Sequence, residues 1–157
     1  MDKETFTRLV TAQQRSLYRV AVSYTASSAD AEDAVQNALL RAWQKRHSLR
    51  EEAYFATWLT RILINECKSL LRKRRSTLPL EGALLPIQPP VDEQALLLRE
   101  ALFALPEKQR IPLILHAVEG YTFHDIAAML ALPTGTVKTR VARAQKKLKQ
   151  EADDHAE

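Results

Sequence analysis

The sequence predicts an all-α protein of two small helical domains joined by a flexible linker, the second domain carrying a helix-turn-helix. Three observations support this. Only three of the 157 residues are Gly and 6% are aromatic, while long stretches of Ala, Leu, Arg, Glu and Gln favour helix over strand. Helical periodicity recurs over residues 3–24, 29–46, 55–75, 92–104, 107–118, 123–130 and 134–151. Between the third and fourth stretches, STLPLEGALLPIQPPV (residues 76–91) holds four prolines, one Gly and little periodicity, which reads as a linker. Fully extended, that linker could span at most about 55 Å. The expected organisation is therefore a domain over 1–75, a linker over 76–91, a domain over 92–151 and an acidic tail over 152–157.

In the first domain, Ser27 or Ser28 can cap the second helix, with Asp30, Glu32 and Asp33 in the first turn where the helix dipole favours acids. Asp33, Gln36, Asn37 and Leu40 then share one helical face, and Val35, Leu39, Ala42 and Trp43 on the other side are expected to pack. In the third helix Arg61, Asn65 and Lys68 lie on one face and Arg72 continues it, whereas Phe55, Leu59 and Ile62 surround Trp58 and place it in the core. In the second domain, FHDIAAML, ALPT and GTVKTRVARAQKKL form a short apolar-faced helix, a tight turn and a longer basic helix, the layout of a helix-turn-helix. On a helical wheel Val137, Val141, Ala144 and Leu148 make the core stripe of the last helix. Thr139, Ala142, Arg143 and Lys146 point outward with Lys138 and Arg140 on the flanks, where base edges and phosphates of a major groove would lie. Thr134 is expected to cap this helix and leave free N–H groups near a phosphate.

Net charge is only +4, but it is unevenly placed. Residues 1–75 hold 14 Lys/Arg against 8 Asp/Glu, with five of the basics between Lys68 and Arg75. Residues 134–150 hold six basics and no acid, and 151–157 hold four acids. Two separate basic patches at helix ends point to an anionic polymer that both touch. Other chemistry finds little support. Cys67, the single cysteine, excludes an intrachain disulfide and has no activating signature beside it. His47, His116, His124 and His155 form no H-E-x-x-H pattern, and no glycine loop cradles phosphate, so neither metal nor cofactor is expected. No apolar run approaches the roughly 18 residues of a membrane span, and Met1 to Val10 lacks the apolar core of a signal peptide, so the expected location is the cytoplasm.

Three segments together carry a resemblance to a known family: SADAEDAVQNALLRAW, then YFATWLTRILINECKSLLRKRR, then LPEKQRIPLILHAVEGYTFHDIAAMLALPTGTVKTRVARAQKKL. In this order, over nearly the whole chain, they resemble a bacterial RNA polymerase sigma factor of the extracytoplasmic-function (ECF) type. The resemblance implies a transcription initiation factor, not an enzyme, that binds core RNA polymerase and promoter DNA. It places Asp33, Gln36, Asn37 and Leu40 at the polymerase clamp, and the loop over 45–54 with Arg61, Asn65, Lys68 and Arg72 at the −10 element. That role needs a pocket for an unstacked base and cations for the strand backbone. Lys138, Thr139, Ala142 and Arg143 match readers of the −35 element, with Arg140 and Lys146 on phosphates and Thr134 at the helix start. Similar proteins act as monomers held inactive by an anti-sigma factor, often membrane-bound. Three positions depart from the family pattern: Trp58 is followed by Leu59 where housekeeping sigma factors have a tryptophan pair, Ala142 replaces a larger residue, and RAQ at 143–145 replaces RAR. The first departure implies limited melting power; the other two bear on the promoter sequence. A dimeric helix-turn-helix repressor would account for the last helix but leave the acidic-capped helix and first basic patch without a role, and a hydrolase built on Cys67 would lack partners.

Overall fold

The computed structural model describes residues 1–77 and 92–156, and every described element is helical. The helices are α1 (Lys3–Thr25), α2 (Ser28–Gln44), α3 (Phe55–Thr77), α4 (Glu93–Ala104), α5 (Glu107–Leu113), α6 (Phe123–Leu130) and α7 (Thr134–Ala156). The chain divides into two units, Met1–Ile87 and Gln88–Glu157. The predicted linker lies outside the described residues from position 78 onward, and α3 runs two residues into its expected start.

In the first unit α1 and α2 are each started by a polar cap. Asp2 Oδ1 accepts the Thr5 N–H at 2.8 Å, and that bond holds the Asp2 carboxyl below its ordinary value of 3.8. α1 ends where Ala26 turns left-handed at φ 52°, its N–H bonded to the Val22 carbonyl. Ser27 then caps α2 through the Asp30 N–H at 3.3 Å, as expected for the first of the two candidate serines. The three helices close on Phe6, Leu17, Val20, Ala21 and Tyr24 of α1, Ala31, Ala34, Ala38 and Ala42 of α2, and Phe55, Leu59, Leu63, Ile64 and Cys67 of α3. α2 therefore packs through a stripe of alanines. Of the residues expected to pack there, only Ala42 is fully buried; Val35, Leu39 and Trp43 sit at the margins, because methyl-sized side chains let the neighbouring backbones approach too closely for larger groups. The predicted end of α2 also shifts: the α-helix stops at Gln44, and Arg46 belongs to a separate 3₁₀ turn, Arg46–Ser48.

In the second unit Asp92 caps α4 through the Ala95 N–H, and Thr122 caps α6 through the Asp125 N–H. The periodicity over 107–118 predicts one helix, but the structure turns from α to π geometry at Ile114–Val118. Pro112 is inside α5 and has no N–H to offer the preceding turn, and the ladder then widens: Glu119 N–H reaches the Ile114 carbonyl and Tyr121 N–H the Leu115 carbonyl. His116 braces this wide turn, its Nδ1 2.9 Å from the Tyr121 carbonyl and its ring stacked on Phe123 at 4.3 Å. Gly120, at φ 79°, makes the left-handed turn into α6. Ile111, Leu115, Ile126, Met129, Val137, Val141 and Ala144 form the core beneath. α7 continues past its predicted end at Glu151 to Ala156. Glu151 and Asp153 follow Lys147 and Lys149 by one turn, a spacing that supports a helix despite acids at its C-terminal end.

Candidate polymerase and nucleic-acid interfaces

Three helix faces hold the residues singled out in the sequence. Asp33, Gln36, Asn37 and Leu40 are all exposed on α2, on the side away from the buried alanines. Leu40 is 58% exposed, an apolar side chain on a polar face with no intramolecular burial to explain it. Asn37 also lines a shallow pocket between α2 and α3 with Glu66, Ser69, Leu70, Lys73 and Arg74. Next to this face Arg41 pairs with Glu66 of α3.

On α3, Arg61, Asn65, Lys68 and Arg72 are exposed while Leu59, Leu63, Ile64 and Cys67 are buried. At 1.5 Å per residue the four exposed side chains mark a stripe about 17 Å long. The five cations between Lys68 and Arg75 do not all belong to it. Arg74 turns inward and pairs with the buried carboxylate of Asp30 at the start of α2, which makes it a structural residue. Asp30 stands among the first-turn acids in the sequence, but nothing at a separation of 44 residues marks its partner.

The loop from α2 to α3 is held at both ends. Arg46 lies 3.7 Å from the Trp43 ring centroid and donates from Nη1 to the Trp43 carbonyl at 2.8 Å. Phe6 of α1 meets Trp43 and Phe55 edge-on, at 5.1 and 5.9 Å. Trp58, expected in the core, is half-buried against Phe55 at the margin of it, while Phe55 and Leu59 are buried. Between these ends His47, Arg50 and Tyr54 face solvent. Neither Arg46 nor Phe6 stands out in the sequence, because stacking across three helices leaves no spacing pattern.

On α7, Lys138, Thr139, Ala142, Arg143 and Lys146 are exposed and Arg140 is half-buried, while Val137, Val141 and Ala144 are buried and Leu148 half-buried, as the wheel predicts. Thr139 Oγ1 donates to the Gly135 carbonyl at 3.0 Å, which leaves its oxygen as an acceptor. The capping role expected of Thr134 is not realised. Thr134 is the first helical residue, and the Pro133 carbonyl accepts the opening bonds from the Thr136 and Val137 N–H groups.

Residues 9–77 match Sigma-70 region 2 and residues 95–148 match Sigma-70, region 4. The ECF RNA polymerase sigma factor SigM of Mycobacterium tuberculosis is 36% identical over 94% of this chain and 76% of its own length. This chain belongs to the ECF sigma factor family. The RNA polymerase sigma-H factor of Pseudomonas aeruginosa is 32% identical over 92% of the chain and 84% of its own length. Among solved structures, the sigma factor RpoE of Bartonella quintana, in complex with the anti-sigma factor NepR, superposes with a TM-score of 0.83 at 29% identity, covering 94% of this chain and 96% of that one. CnrH, in complex with the cytosolic domain of CnrY, superposes with a TM-score of 0.73 at 26% identity, covering 98% and 90%. As a family member, this sigma factor is a transcription initiation factor. Among its described residues no helix is long and apolar enough to cross a membrane.

Proposed function

We propose that this sigma factor docks on core RNA polymerase through Asp33, Gln36, Asn37 and Leu40 of α2 and directs it to promoters with two DNA-reading faces. The loop over 45–54 and the stripe of Arg61, Asn65, Lys68 and Arg72 take the −10 element as a separated strand. Lys138, Thr139, Ala142 and Arg143 read the −35 element as duplex, with Thr134, Arg140 and Lys146 on its phosphates. The domain over 1–75 serves the first two tasks and that over 92–151 the third. The observation that carries this reading is that Arg61, Asn65, Lys68 and Arg72 on α3, and Lys138, Thr139, Ala142, Arg143 and Lys146 on α7, are exposed on helices whose opposite faces are buried, which leaves their charge open to a partner.

The chain acts as a monomer in the cytoplasm, without catalytic chemistry of its own; RNA synthesis belongs to the polymerase. An anti-sigma factor, membrane-bound in many comparable systems, holds it inactive. This is supported by the two solved neighbours, both of them complexes whose second component is an anti-sigma factor or a cytosolic domain. It is also supported by α4, which buries no residue and exposes Leu96, Leu97 and Leu98, an apolar surface of the kind a protein partner covers.

Run-off transcription with purified core polymerase on a genomic promoter library tests the proposal. Discrete start sites that depend on the added chain support it, and the aligned upstream sequences give the promoter code. Tight binding of duplex DNA by the chain alone, with no polymerase-dependent starts, would replace it with a repressor.

A further inference from the structure

We propose that Arg46 and Phe6 are positioning residues for −10 recognition: they fix both ends of the loop over 45–54, and Arg46 is a stacked latch rather than a cation for DNA. The assignment rests on that loop reading the −10 element. In the sequence Arg46 stands in the basic string QKRHSLR and looks like one more phosphate contact. In the fold its guanidinium carbon lies over Trp43, 3.7 Å from the ring centroid, and its Nη1 donates to the Trp43 carbonyl, one of the last carbonyls of α2, toward which the Lys45 cap N–H also points. A cation there is also favoured by the helix dipole. Its Nε is buried with no hydrogen-bond partner, so the pose is set by the stack and the one carbonyl bond, not by a full set of acceptors.

The far end of the loop is tied to the same cluster. Phe6 contacts Trp43, two residues before the loop, and Phe55, the first residue after it. One ring from α1 therefore fixes the separation of the two feet. Asp2 holds Phe6 in turn, since its carboxylate caps α1 and its carbonyl accepts the Phe6 N–H at 3.0 Å. Arg8 and Glu52 add an ion pair from α1 to the loop at 3.6 Å, too exposed to contribute much. What remains free between the feet is an exposed arc ending in Tyr54, 60% exposed. A loop that must capture a base loses affinity for every rotamer it orders on binding, and a fixed mount removes part of that cost.

The conservative variant separates a latch from a phosphate contact. Lysine keeps the charge of arginine but has neither the planar face nor the fork. Transcription is measured with core polymerase on promoters carrying single-base changes across the −10 and −35 elements, with the salt dependence of holoenzyme binding followed in parallel. Arg46→Lys and Phe6→Leu are expected to lower transcription from the best −10 sequence about tenfold and to flatten −10 preference, leaving −35 preference and the salt slope unchanged. Tryptophan fluorescence melts identify any variant that has simply unfolded, and Arg46→Lys remains decisive if Phe6→Leu does not fold. If Arg46→Lys matches the wild type while Arg46→Ala loses activity and about one unit of salt slope, Arg46 is a phosphate contact and the proposal is overturned. His47→Ala and Arg50→Ala at the loop tip report on the underlying reading. If they alter −10 preference and Arg46→Lys does not, only the latch fails; if none of the three alters it, the −10 assignment fails as well.

Discussion

Arg74→Ala isolates the buried ion pair that ties α3 to α2. The Asp30 side chain is 5% exposed, Arg74 pairs with its Oδ1, and its Oδ2 has no hydrogen-bond partner among the described residues, so the carboxylate leans on Arg74 for compensation. Removing one member of a fully buried pair costs about 3–5 kcal/mol because the other charge is left uncompensated. Arg74 is itself 31% exposed, and its truncation opens a path for water to Asp30, which lowers the expected loss to about 2 kcal/mol. For a domain of this size each kcal/mol moves the melting temperature by about 4–8 °C, so a drop of about 10 °C follows. Trp43 and Trp58 are the two tryptophans of the chain and both lie in the first unit, so their fluorescence follows that unit's unfolding. Arg72→Ala, two residues earlier and exposed, is the control and should change stability by less than about 0.5 kcal/mol. In a double-mutant cycle, Asp30→Asn should relieve part of the Arg74→Ala loss, because the stranded charge is gone. Equal melting temperatures for Arg74→Ala and Arg72→Ala would refute the structural assignment and return Arg74 to the DNA-facing patch.

Other outcomes follow from the same geometry. Asp2 has a carboxyl pKa lowered below 3.8 by its bonds to Thr5, so its capping contribution is complete above the ordinary Asp range and is lost as pH falls through the lower folded-state value; Asp2→Asn should flatten that acid limb in a pH series of melts. Ala34→Leu forces extra volume into the buried alanine stripe of α2 and should cost the first unit about 1–3 kcal/mol in the same fluorescence melt. Leu40→Asp should leave the melt unchanged, since the side chain is already exposed, and weaken binding to core polymerase at least about tenfold in a pull-down titration. Arg143→Ala should relax preference at one −35 position by about 1–3 kcal/mol, whereas Lys146→Ala should weaken binding to all sequences alike and reduce the salt slope by about one.

The helices other than α4 were legible because each has one buried stripe, and a stripe at helical spacing needs no knowledge of the partner; α4 buries no residue and was legible from its composition and periodicity alone. The outward residues of α2, α3 and α7 were legible for the same reason: once the buried face is known, the exposed one is its complement. What the wheel misjudged was side-chain size. Hydrophobicity ranks Val35, Leu39 and Trp43 above alanine, yet the axis of burial runs through Ala31, Ala34, Ala38 and Ala42 because three helices meet there. Pairings between distant residues also left no trace. Asp30 and Arg74 each read as an ordinary charged residue until the fold brings them together, and Arg46 is one unremarked cation of the loop until its ring partner is placed. Pro112 was visible, but its effect, a π turn rather than a break, depends on Tyr121 and Glu119 finding carbonyls after it.

The alanine stripe and the ion pairs have a joint consequence for the proposed division of labour in the first unit. Arg74–Asp30 joins α3 to the beginning of α2, and Glu66–Arg41 joins α3 to its end, so the two pairs bracket the stretch that carries Asp33, Gln36, Asn37 and Leu40. Between the brackets α2 is buried through Ala31, Ala34 and Ala38, whose methyl groups have no rotamers to readjust, so close packing resists rolling or sliding of α2 in its unit. The outward face of α2 and the stripe from Arg61 to Arg72 are therefore fixed relative to each other by the fold of a single unit. A partner bound to the first sets the position of a strand bound to the second without any conformational change being required, and the adjustable part of the unit is confined to the exposed arc between Arg46 and Phe55. Recognition that must adapt to sequence is thus expected from the loop, and recognition that must hold register from the helices.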